Sequence, residues 1–120
     1  MTGFGLVGHL SEMLGEFSCE ISFKSLRLLP DLKSLFDGFK EDLVKGFNNL
    51  EYAVQRGFQC TFDSDFIKAV CCDPISSGGL LIAVKGADEA EKVAGVINGA
   101  VVGRVYKGVQ KEIQFKDQFY

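Results

Sequence analysis

Apolar residues recur at helical spacing near the start of the chain, at Leu6, Val7, Leu10, Met13 and Leu14, and predict a first helix that Gly15 ends. Phe17, Cys19, Ile21 and Phe23 then alternate with Ser18, Glu20, Ser22 and Lys24. That strict period of two predicts a strand buried on one face. Pro30-Asp31 opens a short helix with Leu32, Leu35 and Phe36 on its inner side. From 39 to 56 the signal is mixed. Leu43, Val44, Phe47, Leu50 and Val54 fit a helix that Gly46, Asn48 and Asn49 weaken, so a helix is expected over part of the stretch only.

Phe58, Cys60 and Phe62 alternate briefly, as an edge segment would. Asp63 or Ser64 can cap the next helix, which turns Phe66, Ile67, Val70 and Cys71 inward and ends at Pro74. Gly79 to Val84 is almost wholly apolar, the pattern of a central strand covered on both faces. Asp88 begins a helix with Ala90, Val93, Ala94 and Ile97 facing in, closed near Asn98-Gly99. Ala100–Tyr106 and Lys111–Lys116 supply two last strands, with a turn near Lys107-Gly108. This order predicts an α+β domain, a mixed sheet with helices packed on it.

Composition narrows the function classes. The length of 120 residues suits one domain, and the 47% hydrophobic content, with 11 Phe, can fill a core without disulfides or metal. A formal charge of −3 and no Lys/Arg runs speak against nucleic-acid partners and against a membrane-surface role. Leu80–Val84, the longest apolar run, is far short of the roughly 20 residues that span a bilayer. No secretion signal is visible, so the expected location is cytoplasmic and the four cysteines are expected to be reduced.

Two glycine-rich stretches carry the candidate chemistry. Thr2-Gly3-Phe4-Gly5-Leu6-Val7-Gly8-His9-Leu10 runs straight into a helix, whose N-terminal amides and dipole suit an anion. Thr2 can also serve as a plain N-cap, with the glycines only easing chain entry, and on the residues alone this is the plainer reading. Cys72-Asp73-Pro74-Ile75-Ser76-Ser77-Gly78-Gly79-Leu80-Leu81 can form an amide-lined concavity, or simply a connection that needs glycine. Asp73 can hold that turn through downstream amides or help orient a metal or phosphate, the first being the plainer role. His9 is the only histidine and sits at helical spacing, where a structural role outweighs a catalytic one. Cys71-Cys72 lacks ligand spacing, and one histidine with distant thiols makes no zinc site; small buried thiols are the expectation.

Taken together and in this order, the two stretches resemble the C-terminal domain of selenide, water dikinase (selenophosphate synthetase), in the aminoimidazole ribonucleotide synthetase superfamily. The resemblance implies a C-terminal-type domain spanning 1–120 beside an absent N-terminal ATP-binding domain. It implies a complete enzyme that uses ATP, Mg2+, selenide and water to make selenophosphate, AMP and phosphate. Thr2, Gly3, Gly5, Asp73, Ser76, Ser77, Gly78 and Gly79 would lie near the nucleotide phosphates. No catalytic or metal-ligating residue carries over. The family's magnesium-holding aspartate before the first motif and its reactive Cys or selenocysteine have no counterpart, and residues 38–50 lack a clear copy of its Gly-Gly-Thr loop. The chain alone is therefore expected to bind neither ATP nor Mg2+ tightly and to show no turnover. A homodimer is compatible with this reading. The rival readings are a stand-alone anion- or partner-binding module and the equivalent domain of a sister ATP-dependent enzyme.

Overall fold

The structure is a computed structural model, and it describes residues 3–28, 30–38, 47–73 and 79–118. Helix α1 (Gly5–Leu14) leads into β1 (Ser18–Ser22) and a short 3-10 turn at Phe23–Ser25. Then come α2 (Leu32–Gly38), α3 (Phe47–Gln55), β2 (Gln59–Phe62), α4 (Asp65–Cys72), α5 (Ala87–Ile97), β3 (Gly103–Tyr106) and β4 (Glu112–Lys116). The fold is α+β, as the element pattern predicts.

The four strands are ordered β2-β4-β1-β3. β1, β4 and β2 run parallel, and β3 pairs antiparallel along the outer side of β1. Residues two apart share a face, so the register puts Cys19 and Ile21, Ile113 and Phe115, and Cys60 and Phe62 on one surface. Against it pack Leu6, Val7, Leu10 and Leu14 of α1, Ala53 of α3, and Ile67, Cys71 and Cys72 of α4. Helices α1, α3 and α4 also pack on one another. This layer holds the ends of both glycine-rich stretches.

Several expectations are met by identifiable means. Ser64 is the N-cap of α4, its hydroxyl accepting the Ile67 N–H at 3.2 Å. β2 is an edge strand, and α1 ends at Gly15. Asn98 closes α5 in a left-handed conformation, with the Gly99 N–H returning to the Ala94 carbonyl. The Arg27 guanidinium donates to the Asn98 and Gly99 carbonyls, placing positive charge where the helix dipole favours it.

Others are corrected. β1 is buried on both faces, not one. On the face away from the helices, Glu20 accepts from Arg104 and from Lys116 Nζ at 2.9 Å, and the long basic side chains cover it. Those two cations, Lys116 foremost, hold the Glu20 carboxyl below its ordinary range. Ser18 donates to the Gln110 carbonyl and accepts from the Glu112 N–H. A polar alternation thus marks a hydrogen-bonded face here, not a solvated one.

The run from Gly79 to Val84 is not a strand. The central places of the sheet are occupied by β4 and β1, and Leu80 is 88% exposed while Ile82 and Val84 are also exposed. Only Leu81 of this run packs against the core. α5 buries none of its residues fully, and Ile97, expected inside, is exposed. Met13 and Leu35 also face outward. β3 and β4 do not form a hairpin, because β1 lies between them. Residues 39–46 and Pro74 lie outside the described residues. Among the described residues no helix is long and apolar enough to cross a membrane.

Candidate functional site

The first glycine-rich stretch enters α1 through Phe4, which occupies the N-cap position and makes no side-chain cap. Thr2, the expected cap, lies outside the described residues. Gly5 takes φ +64°, a conformation that L side chains rarely adopt. A Cβ there would stand 3.1 Å from the Cys71 carbonyl oxygen, the Cys72 carbonyl carbon and the Asp73 carbonyl oxygen. Glycine is needed because the start of α1 presses against the end of α4.

That contact joins the two stretches. α4 ends at Cys72 with Asp73 as its C-cap, the Asp73 N–H reaching the Val70 carbonyl at 3.3 Å. The positive end of the α1 dipole thus faces carbonyls at the negative end of α4, an attractive arrangement. Asn49 of α3 completes the junction. Its Nδ2 donates to the Gly3 carbonyl at 3.2 Å and to the Cys72 carbonyl at 2.9 Å, and the residue is 8% exposed. One buried amide therefore ties a peptide group of each motif to the same helix.

Aromatic packing fixes the entry further. The Phe4 ring stacks on Tyr52 of α3 at 5.3 Å and meets His9 edge-on at 5.7 Å. Gly8 admits this arrangement, since a Cβ there would lie 2.7 Å from Phe4 Cβ. Arg56 lies over the other partner of the stack, 5.5 Å from the Tyr52 ring centre, and its Nε donates to the Ser11 carbonyl. Asn49, Tyr52 and Ala53 sit at i, i+3 and i+4, one face of α3 turned toward the first motif and α1.

Of the residues singled out in the sequence, the fold brings Gly3, Gly5 and Asp73 together. Ser76, Ser77 and Gly78 lie outside the described residues, and Gly79 is exposed at the start of the following run. Asn49 and Tyr52 are the residues that sequence reasoning missed. An asparagine in a helix weakens it, and here the signal was that cost itself, at helical spacing from an aromatic residue. An open cleft of about 580 Å3, lined by Phe23, Lys33, Asp63, Ser64, Phe66, Ile67 and Asp117, lies at the other end of α4 and includes no residue of either motif.

The cysteines are free thiols. Burial pushes Cys19 and Cys72 up to about 12 and Cys60 up to about 11, and it pushes Cys71 up as well. The thiolate is the reactive form, so none of these groups is tuned as a nucleophile. The folded chain should react slowly with Ellman's reagent at about pH 8, and all four thiols should react at once in denaturant. Rapid labelling of any thiol in the folded chain contradicts this assignment. His9 pairs with Glu12 at 3.7 Å on the α1 surface and packs on Phe4, a structural setting.

Magnesium requires several oxygen ligands at near-octahedral geometry. Among the described residues no three or more His, Cys, Asp or Glu side chains come together as a metal site. Asp73 contributes at most one carboxylate beside the junction, so these residues do not by themselves fit the ion.

No family model matches the chain. Its sequence nevertheless aligns over 96 residues, 78% of its length, with curated proteins of Shewanella. The likeness is to selenide, water dikinases. Those of Shewanella putrefaciens and Shewanella baltica are each 38% identical to it, and one from Shewanella sp. strain MR-4 is 36% identical. The match covers 26% of each of those proteins, so the chain spans about a quarter of the length of the relatives it matches.

Proposed function

We propose that this chain is the C-terminal-type domain of a selenophosphate synthetase and forms one wall of its ATP cleft. The convergence of Gly3 and Gly5 with Cys72 and Asp73 at a single buried junction carries the reading. Two motifs far apart in sequence meet at one junction, which on this reading forms part of a phosphate-facing edge. Gly3 is exposed beside the packed Gly5, and Ser76, Ser77, Gly78 and Gly79 would continue the edge from Asp73. The likeness to selenide, water dikinases supports the substrate class of ATP and selenide.

The remaining walls, the Mg2+ ligands and the reactive group would come from an ATP-binding N-terminal portion. Burial of Cys19, Cys71 and Cys72, and the raised thiols of all four cysteines, support assigning the reactive group to that portion. The chain binds and orients; the phosphoryl transfers happen against it. Positioning and electrostatic stabilisation dominate such reactions, so a wall without a nucleophile still matters for rate.

A chimaera tests this, in which the chain replaces the matching segment of the Shewanella putrefaciens selenide, water dikinase. The chimaera should form AMP and selenophosphate from ATP and selenide, and the chain alone should form neither. A folded but inactive chimaera, or turnover by the isolated chain, overturns the proposal.

A further inference from the structure

We propose that Asn49 is a positioning residue whose side-chain amide sets the separation of the two motif corners. Its catalytic consequence rests on the selenophosphate synthetase reading, whereas the tether stands on geometry alone. The Asn49 amide nitrogen carries two hydrogens, and it donates to two carbonyls, those of Gly3 and Cys72. These acceptors lie 46 and 23 residues away in sequence. The two N–H bonds diverge at the fixed angle of a planar amide, so the carbonyls are held at a set span. Asparagine is a poor choice for a helix on intrinsic grounds, and hydrogen bonding to distant backbone accounts for its presence.

Gly5 packs directly on the end of α4, and the Asn49 amide fixes that same contact through hydrogen bonds. Asn48 is exposed, and the Phe4–Tyr52 stack orders only the first corner. Asn49 reaches both corners through its side-chain hydrogen bonds. Aspartate at this position would point a hydrogen-free oxygen at two carbonyl oxygens and push the corners apart. Glutamine keeps the donors on a stem one methylene longer, and so shifts the span rather than abolishing the contact.

Hydrogen exchange on the 15N-labelled chain gives the first readout. In Asn49→Asp the Gly8 amide, which donates to the Phe4 carbonyl, and the amides of 72–73 should exchange about tenfold faster than in the parent, measured relative to β1 and β4 amides. Asn48→Asp should leave both sets unchanged. If Asn49→Asp does not fold, Asn49→Gln takes its place and should quicken both corners together. No change, a change at one corner only, or the same change from Asn48→Asp overturns the tether.

The second readout is kinetic, in the chimaera described above. Asn49→Gln should lower kcat about tenfold while KM for ATP stays within about threefold, because misplacement of a positioned wall acts on the transition state. Loosened corners with an unchanged kcat overturn the positioning role. Should the parent chimaera form no AMP, the selenophosphate synthetase reading fails, and exchange still decides the tether.

Discussion

Phe115→Ala should cost about 3–5 kcal/mol of folding stability, the range for deleting a buried ring from a packed core. Phe115 sits on β4 between β1 and β2, is 1% exposed, and stacks on Phe62 with centroids 4.9 Å apart and planes 2° from parallel. The cavity would open where the sheet meets the helical layer, so neither side can close on it without breaking strand register. For a domain whose whole stability is of order 5–15 kcal/mol, this approaches unfolding. Urea denaturation followed by circular dichroism measures it. The midpoint should fall with the slope unchanged. A loss under about 1 kcal/mol would mean that the ring is not enclosed by its neighbours as described.

Gly5→Ala should cost about 2–4 kcal/mol, combining backbone strain at positive φ with a forced displacement. Either factor alone is moderate. A non-glycine residue in the left-handed region is disfavoured by roughly 1–2 kcal/mol. The new methyl group would also stand 3.1 Å from three backbone atoms of residues 71–73, and backbone cannot swing aside as a flexible side chain can. The same denaturation measurement applies. In the chimaera, turnover should fall by more than the lost stability explains, since the substitution wedges the corners apart. Full stability in Gly5→Ala would show that α1 and α4 do not meet at this point.

Much of the fold was legible because each segment announced its own period. Cys19, Ile21 and Phe23 marked β1, Ser64 marked the start of α4, and Asn98 marked the end of α5. Such signals are local, and local signals survive in any tertiary setting. The misread run Leu80–Val84 shows the limit. Five apolar residues in succession have no period, so their number says nothing about which sheet positions other strands already fill. Glu20 fails in the opposite way. Its alternation is correct, yet its burial depends on Arg104 and Lys116, which come from strands far along the sequence.

The candidate site was legible in part for the same reason. Gly3, Gly5 and Asp73 stood out by residue type and order, but their meeting depends on how α1, α3 and α4 pack. Asn49 was read only as a weak point in a helix. Its two acceptors lie in other segments, and a single sequence gives no means of pairing a side chain with distant peptide groups.

Because both corners hang from α3, they behave as the two tips of one jaw. A neighbouring polypeptide that tilted or slid this jaw would move both tips together, leaving the contact between them as it was. Any shift of α3 would then carry the two motifs as one piece, with their mutual fit set beforehand.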